Sequence, residues 1–198
     1  GGFFWEGVRM EKTARELRGQ CLAARRGLSA EARDRYSLRI CQRLAGLPVL
    51  GDAGVIFSYQ GCWDEADLTA FHNWARDSGK TLAFPWTGQE GAMEALVPLS
   101  ENGWALDRFG IRSPLPERSR RLAPGEIAVV LTPCVGFDGH GNRLGHGAGF
   151  YDRFFPRCPQ AVRIAIGFEA QRCDCLRPEP WDAPMDFLVT EDGVWSFS

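Results

Sequence analysis

The passage from Ile127 to Phe155, IAVVLTPCVGFDGHGNRLGHGAGFYDRFF, limits what this chain can fold into more than any other. Its first half is apolar without alternation. A strand carries such a run when both of its faces are covered, as in the interior of a parallel sheet. Gly145, Gly147 and Gly149 follow, and "FYDRFF" (150–155) then reads as the start of a helix. Parallel neighbours cannot be joined by a tight hairpin and need a crossover connection. The passage therefore predicts an α/β chain with a central strand over 127–138.

The rest of the sequence supplies strands and crossovers. Residues 11–28 are helical in pattern, with Leu17, Cys21, Ala24 and Leu28 on one apolar face. Arg15, Arg18 and Arg25 share another face, and Lys12 lies one turn earlier. Ser29 reads as the N-cap of a second helix, with Glu31 in its first turn and an end near Leu47. "AGVIFSY" (53–59) and "TLAFPW" (81–86) have strand composition, and 64–79 is an amphipathic helix closed by Gly79. "AMEALVPL" (92–99) predicts a further strand, and 109–126 is a connection rich in Pro and Arg. "VRIAIGF" (162–168) and "DFLVT" (186–190) complete the strands. The alternation predicts a three-layer αβα architecture, a mostly parallel, Rossmann-like open sheet with helices on both faces. With 198 residues the chain suits a single domain over 11–198. The first ten residues lack the pattern of a signal peptide and are expected to be an extension ahead of a natural start at Met10.

Composition narrows the partners. Net charge is -2 and acidic residues are interspersed with basic ones, so no nucleic-acid role is expected. Lys12 and Lys80 are the only lysines, so a phosphate contact would use Arg. Seven scattered cysteines and three histidines (72, 140, 146) do not extend Cys173-x-Cys175 to a metal set, and they predict a reduced, cytoplasmic protein. No apolar run reaches the roughly 18 residues of a membrane span.

Strand, glycine loop and helix start can place backbone N–H groups around an anion. Glycine permits positive φ and close approach at each of the three positions. The G-x-G-x-G spacing is neither a dinucleotide fingerprint nor a Walker loop, and on the glycines alone a plain turn remains the simpler reading. The flanks bear on that choice. Arg143 precedes the loop with a planar fork suited to phosphate. Asp152 follows it, either complementing a helix dipole or, beside a polyphosphate, implying an intervening Mg²⁺ ion. His146, between two glycines, could meet ligand or face solvent.

"GFDGHGNRLGHGAGFYDRFF" resembles the signature of the 5-formyltetrahydrofolate cyclo-ligase (methenyltetrahydrofolate synthetase) family. "LRGQCLAARRGLSAEAR", "SYQGCWDEADL", "GKTLAFPW", "FGIRSPLP" and "WDAPMDFLVTEDGVW" follow the family's order over nearly the whole chain. The resemblance implies an ATP-dependent, Mg²⁺-requiring enzyme. It would convert 5-formyltetrahydrofolate to 5,10-methenyltetrahydrofolate, releasing ADP and phosphate, through a phosphorylated formyl (imidate phosphate) intermediate. Small molecules would be its partners, and a monomer is expected. By position, the resemblance assigns Arg143, Leu144, Gly145, His146, Gly147, Ala148, Gly149, Phe150 and Tyr151 to ATP. His146 to Phe150 would also face the substrate, with Ser58 and Glu65. Asp152 and Asp182 would serve the metal, and Arg143 and Asp152 the catalysis.

Two departures stand out. The family has Lys and, four residues on, Arg in its first helix; here Arg18 matches the Arg, but Ala14 stands at the Lys position. Arg15 or Lys12 is the expected substitute. Where the family has Thr after its folate acid, this chain has Leu68. The rival readings are a related ligase with another small substrate and a non-catalytic folate or nucleotide binder. An acyl-CoA or sugar-phosphate isomerase relative would need a nucleophilic motif that the chain lacks.

Overall fold

The computed structural model describes residues 11–88 and 90–197, so the expectation for residues 1–10 lies outside the described residues. The helices are α1 (Ala14–Arg26), α2 (Ala30–Ala45), α3 (Pro48–Asp52), α4 (Thr69–Asp77) and α5 (Phe150–Phe154). The strands are β1 (Val55–Phe57), β2 (Thr81–Thr87), β3 (Met93–Pro98), β4 (Trp104–Leu106), β5 (Arg112–Pro114) and β6 (Ser119–Leu122). They continue as β7 (Val129–Pro133), β8 (Gly136–Phe137), β9 (Arg143–Leu144), β10 (Val162–Ile166), β11 (Phe187–Val189) and β12 (Val194–Ser196). Eight of them form one sheet in the order β12-β11-β10-β7-β1-β2-β3-β6, while β4–β5 and β8–β9 pair as separate hairpins. The run β11-β10-β7-β1-β2 is parallel. β12, β3 and β6 add antiparallel edges.

Both faces of the central strands are buried, as the unbroken apolar run predicts. Successive side chains point to opposite faces of a sheet. Ile56, Leu82, Phe84, Val129, Leu131 and Ile164 therefore pack with Ile40, Leu44, Leu50 and Phe71 of α2, α3 and α4. Phe57, Ala83, Val130, Ala165 and Leu188 face the other way, onto Phe154, Phe155 and Cys158. The Phe57 and Phe154 rings lie 4.9 Å apart, centre to centre, and dock α5 on this second face. Truncating a phenylalanine so enclosed costs about 3–5 kcal/mol.

Several elements differ from expectation. The central strand ends at Pro133 instead of continuing to 138. There the buried amide of Gln171 donates to the carbonyls of both Cys134 and Val135 at 2.9 Å, satisfying backbone that has left the sheet. α4 begins at Thr69, not at 64, because Asp67 accepts from the Thr69 amide at 2.9 Å and Asp64 is drawn elsewhere. The connection 109–126 contains β5 and β6, and β12 and α3 had no clear sequence signal.

α1 differs most. Its start is set by a capping box in which Thr13 and Glu16 exchange hydrogen bonds, worth about 1 kcal/mol. Its buried residues are Cys21 and Arg25, with Arg18 half-buried, whereas Ala24 is exposed. The expected apolar face is thus rotated toward two arginines. The physical reason is that this side of α1 rests on loops with polar groups to pair.

Candidate active site

In the parallel part of the sheet, β1 leads outward to β2 on one side, and β7 leads to β10 and β11 on the other. The strand order therefore reverses between β1 and β7. In open α/β sheets ligands bind beyond the carboxyl ends of strands at such a switch point. The loop after β1 carries Ser58 and Glu65, and the chain after β7 carries the glycine loop.

The glycine loop is aimed by the β8–β9 hairpin. Asp138 is fully buried at its turn, and its carboxylate accepts from the amides of His140, Asn142 and Leu176 and from the Asn142 side chain. Burial alone would raise its pKa, but these four donors hold it below the ordinary value. The "FDGHGNR" segment is thereby a fixed turn that delivers Arg143.

Each glycine of the loop lies against a guanidinium. A Cβ on Gly145 would come within 2.9 Å of Arg143 Nη1, and one on Gly149 within 2.9 Å of Arg153 Nη1. At Gly147 it would reach Arg18 Cζ at 3.5 Å. Arg18 Nε donates to the Gly145 carbonyl at 2.8 Å and Arg153 Nη1 to that of Ala148 at 2.6 Å. Gly147 and Gly149 have φ of +100° and +71°, whereas Gly145 does not adopt positive φ and instead provides room. The G-x-G-x-G spacing thus admits three cations against one loop. α5 has only five residues and no side-chain cap, so the positive potential rests on these cations more than on a helix dipole.

Arg143 is nearly enclosed. Its Nη1 donates to the Pro133 carbonyl at 3.0 Å and its guanidinium lies over the Tyr151 ring. It approaches Asp152 at 3.7 Å. It sits under the loop, while Arg18 and Arg153 flank it. Arg153 was not singled out in the sequence; its adjacency to "FYD" was the available signal. Lys12 extends to Gln20 Oε1 at 3.0 Å and Arg15 is exposed, so of the three first-helix cations only Arg18 meets the loop. Leu144, His146, Ala148 and Phe150 are half-buried or exposed along the same stretch.

Asp152 accepts from the Ala183 amide at 3.2 Å, bringing the Asp182–Ala183 backbone to α5. Asp182 itself accepts from the Glu179 amide at 2.8 Å. Among the described residues no group of three or more His, Cys, Asp or Glu is arranged to hold a metal. Asp152 and Asp182 are two carboxylates, the donor type that Mg²⁺ takes in small number when phosphate oxygens complete its shell.

Beside the loop lies a cleft of about 740 Å³ lined by Gln60, Phe84, Trp86, Phe109, Phe150 and Tyr151, among others. Its volume suits a cofactor-sized molecule. The β4–β5 hairpin forms one wall, with Phe109 exposed at its tip. Glu65 lies four residues ahead of α4, which removes the reading of it as a helix-terminus charge. It is half-buried and accepts from the Cys62 thiol at 2.6 Å. Ser58 is fully buried and its hydroxyl lies 2.7 Å from His72 Nε2, under α4. Its hydroxyl is thus committed to the core and its N–H donates to the Ala83 carbonyl at 2.8 Å, so neither group is open to the cleft. Burial lowers His72 to about 4, so it is neutral and structural.

The model of the 5-formyltetrahydrofolate cyclo-ligase family matches residues 10–191. The mouse 5-formyltetrahydrofolate cyclo-ligase is 27% identical over 94% of this chain and 97% of its own length. The Escherichia coli K12 protein of the same name is 27% identical over 87% of this chain and 97% of its own. The solved structure of Aquifex aeolicus 5,10-methenyltetrahydrofolate synthetase superposes with a TM-score of 0.82 at 29% identity, covering 93% of this chain and 92% of that one. Shared motif, shared sheet and near full-length coverage lead to one conclusion: the chain belongs to the 5-formyltetrahydrofolate cyclo-ligase family.

Proposed function

We propose that this chain closes 5-formyltetrahydrofolate to 5,10-methenyltetrahydrofolate while converting ATP to ADP and phosphate. The observation that carries the reading is the convergence of Arg18, Arg143 and Arg153 on the glycine loop at the mouth of an aromatic-lined cleft. The loop from Leu144 to Tyr151 holds the triphosphate with its N–H groups, between Arg18 and Arg153 and above Arg143. Lys12, just ahead of α1, and Arg15, in its first turn, are the candidates to replace the cation missing at Ala14. The pterin enters the cleft, where Glu65 accepts from its N–H donors.

A formamide oxygen is a poor leaving group. Transfer of the γ-phosphoryl to that oxygen gives an imidate phosphate and ADP. The neighbouring folate nitrogen then attacks the activated carbon, the C–O bond breaks and phosphate departs. Phosphoryl transfer of this kind depends on alignment and on neutralising charge. That explains a site of arginines and glycines without a nucleophile. Asp152, with Asp182 on the adjoining loop, would hold a magnesium ion, which would supply further neutralisation of the phosphates. The aromatic walls exclude water that would hydrolyse the activated formyl group.

The cysteines are all free, which fits a reducing cytoplasm. No helix among the described residues is long and apolar enough to cross a membrane. Loop and cleft come from one chain, so a monomer is a sufficient unit. The test is the absorbance of the methenyl product after mixing protein, Mg-ATP and 5-formyltetrahydrofolate. A band that grows only with all three present is expected. Binding of both ligands without that band would instead favour the non-catalytic reading.

A further inference from the structure

One stripe of α1 touches three of the loops that leave the carboxyl ends of the parallel strands. Arg18 meets the glycine loop. Cys21 meets the segment after β10, its Sγ 3.3 Å from that of Cys173. Arg25 meets the loop after β1, where its Nη2 donates to Asp64 Oδ1 at 3.0 Å. The third contact is unlike the others because both partners are buried, each about 2% exposed. The second oxygen of Asp64 accepts from Arg26 Nε at 3.3 Å. Burial would raise the Asp64 pKa, but the Cys62 thiol and the two guanidinium groups bring it below the ordinary value, so it is charged.

Such a pair is a poor way to add stability, since desolvating both ions offsets most of their attraction. Arg25 Nε adds to the cost, being buried with no hydrogen-bond partner among the described residues. What the pair supplies is direction. Asp64 immediately precedes Glu65 in a tight turn, closed by Glu65 N donating to Cys62 O at 3.0 Å. The turn has little freedom to relax, since a Cβ on Gly61 would lie 2.6 Å from the Ala66 carbonyl. The Cys62 thiol then ties the two acids together, reaching Asp64 at 3.2 Å and Glu65 at 2.6 Å. Anchoring Asp64 to α1 fixes the backbone from which the Glu65 side chain projects.

We propose that Asp64, clamped by Arg25 and Arg26, is a positioning residue for Glu65 and sets folate affinity through it. The inference rests on Glu65 being the acid that meets the pterin. The same helix also presents Arg18 to the glycine loop, so α1 braces the folate and nucleotide sides against one another.

The test compares three proteins with the wild type: Glu65→Gln, the paired Arg25→Met/Asp64→Leu variant, and the triple variant. Removing both ions together avoids stranding a buried charge and removes the orphan donor, so the paired variant is expected to fold. Folate and Mg-ATP affinities are measured separately, together with KM and kcat. The paired variant is expected to raise the folate Kd and KM about tenfold, the effect of one mispositioned charge-assisted hydrogen bond, with Mg-ATP affinity within about twofold. The triple variant should bind folate no worse than Glu65→Gln alone, because Asp64 acts only through Glu65. Wild-type folate affinity in the paired variant, equal loss of Mg-ATP, or full additivity in the triple variant each overturns the proposal. Unchanged folate affinity in Glu65→Gln instead removes the underlying assignment, and the positioning role falls with it. Should the paired variant not fold, Asp64→Asn, which keeps the shape and one acceptor, is read by the same outcomes.

Discussion

Glycine at 145, 147 and 149 serves two separate needs. At Gly147 and Gly149 the backbone has positive φ, which L side chains adopt at a cost. At Gly145 the need is space for Arg143, whose guanidinium is wedged between the Pro133 carbonyl and the Tyr151 ring. Arg153 is exposed and can move away from an added methyl, but Arg143 has nowhere to go. Gly145→Ala should therefore raise the ATP KM by about tenfold or more, the scale of a displaced charge-assisted contact. Its melting temperature should fall by only a few degrees, as for a change of about 1 kcal/mol. Steady-state kinetics and a thermal melt check both. Asp152→Asn keeps the shape and the bond from Ala183, so circular dichroism should be unchanged while turnover drops about 10³-fold, as for loss of a charge acting in the transition state. Wild-type turnover in Asp152→Asn would take Asp152 out of the mechanism.

At the scale of elements, α1 and α4 illustrate opposite ways of docking a helix. α4 turns Phe71 and Ala75 into the main core and carries His72 in with them, capped by the Ser58 hydroxyl. His72 is held neutral, from an ordinary 6.5 down to about 4. The unfolded chain therefore binds a proton more readily than the native one between those values. The sign follows directly: stability is full above pH 6.5 and declines as pH falls toward 4, by at most about 3 kcal/mol. Urea unfolding between pH 7.5 and 4.5 should show this slope, and His72→Gln should flatten it. A slope unchanged in the variant would assign it to other groups. α1, by contrast, contributes no side chain to either apolar cluster and is held by Arg18, Cys21 and Arg25 reaching loops.

Over the whole molecule, the reversal of strand order between β1 and β7 sends two functional loops apart and leaves a crevice between them. The β4–β5 hairpin, inserted in the antiparallel edge of the sheet, walls one side of the resulting cleft. Its tip residue Phe109 lines the cleft yet is exposed with Arg108 stacked on it, an arrangement suited to covering a bound aromatic ring. Phe109→Ala should raise the folate KM about tenfold, from loss of apolar area and ring contact, and leave the ATP KM within about twofold. Equal effects on both substrates would place the hairpin's role elsewhere.

The local pattern of the sequence was enough for what depends on neighbours along the chain. The doubly buried strand, the capped α2, the glycine loop and the α/β class all follow from apolar runs, caps and φ-permissive residues, whose energetics are local. Residues 109–126 hid two short strands because edge strands rich in Arg and Pro carry no apolar alternation to read. Nor could periodicity on α1 reveal that Arg18 and Arg25 face inward, since a charge is buried only where a distant partner waits. Asp64 and the Gly145 carbonyl are such partners, each far off in sequence. Arg153 likewise became part of the site only when the chain folded it against Gly149 and the Ala148 carbonyl. Long-range charge pairing was therefore decided by the tertiary structure, because Coulomb and hydrogen-bond energies depend on distances that spacing along the chain does not encode.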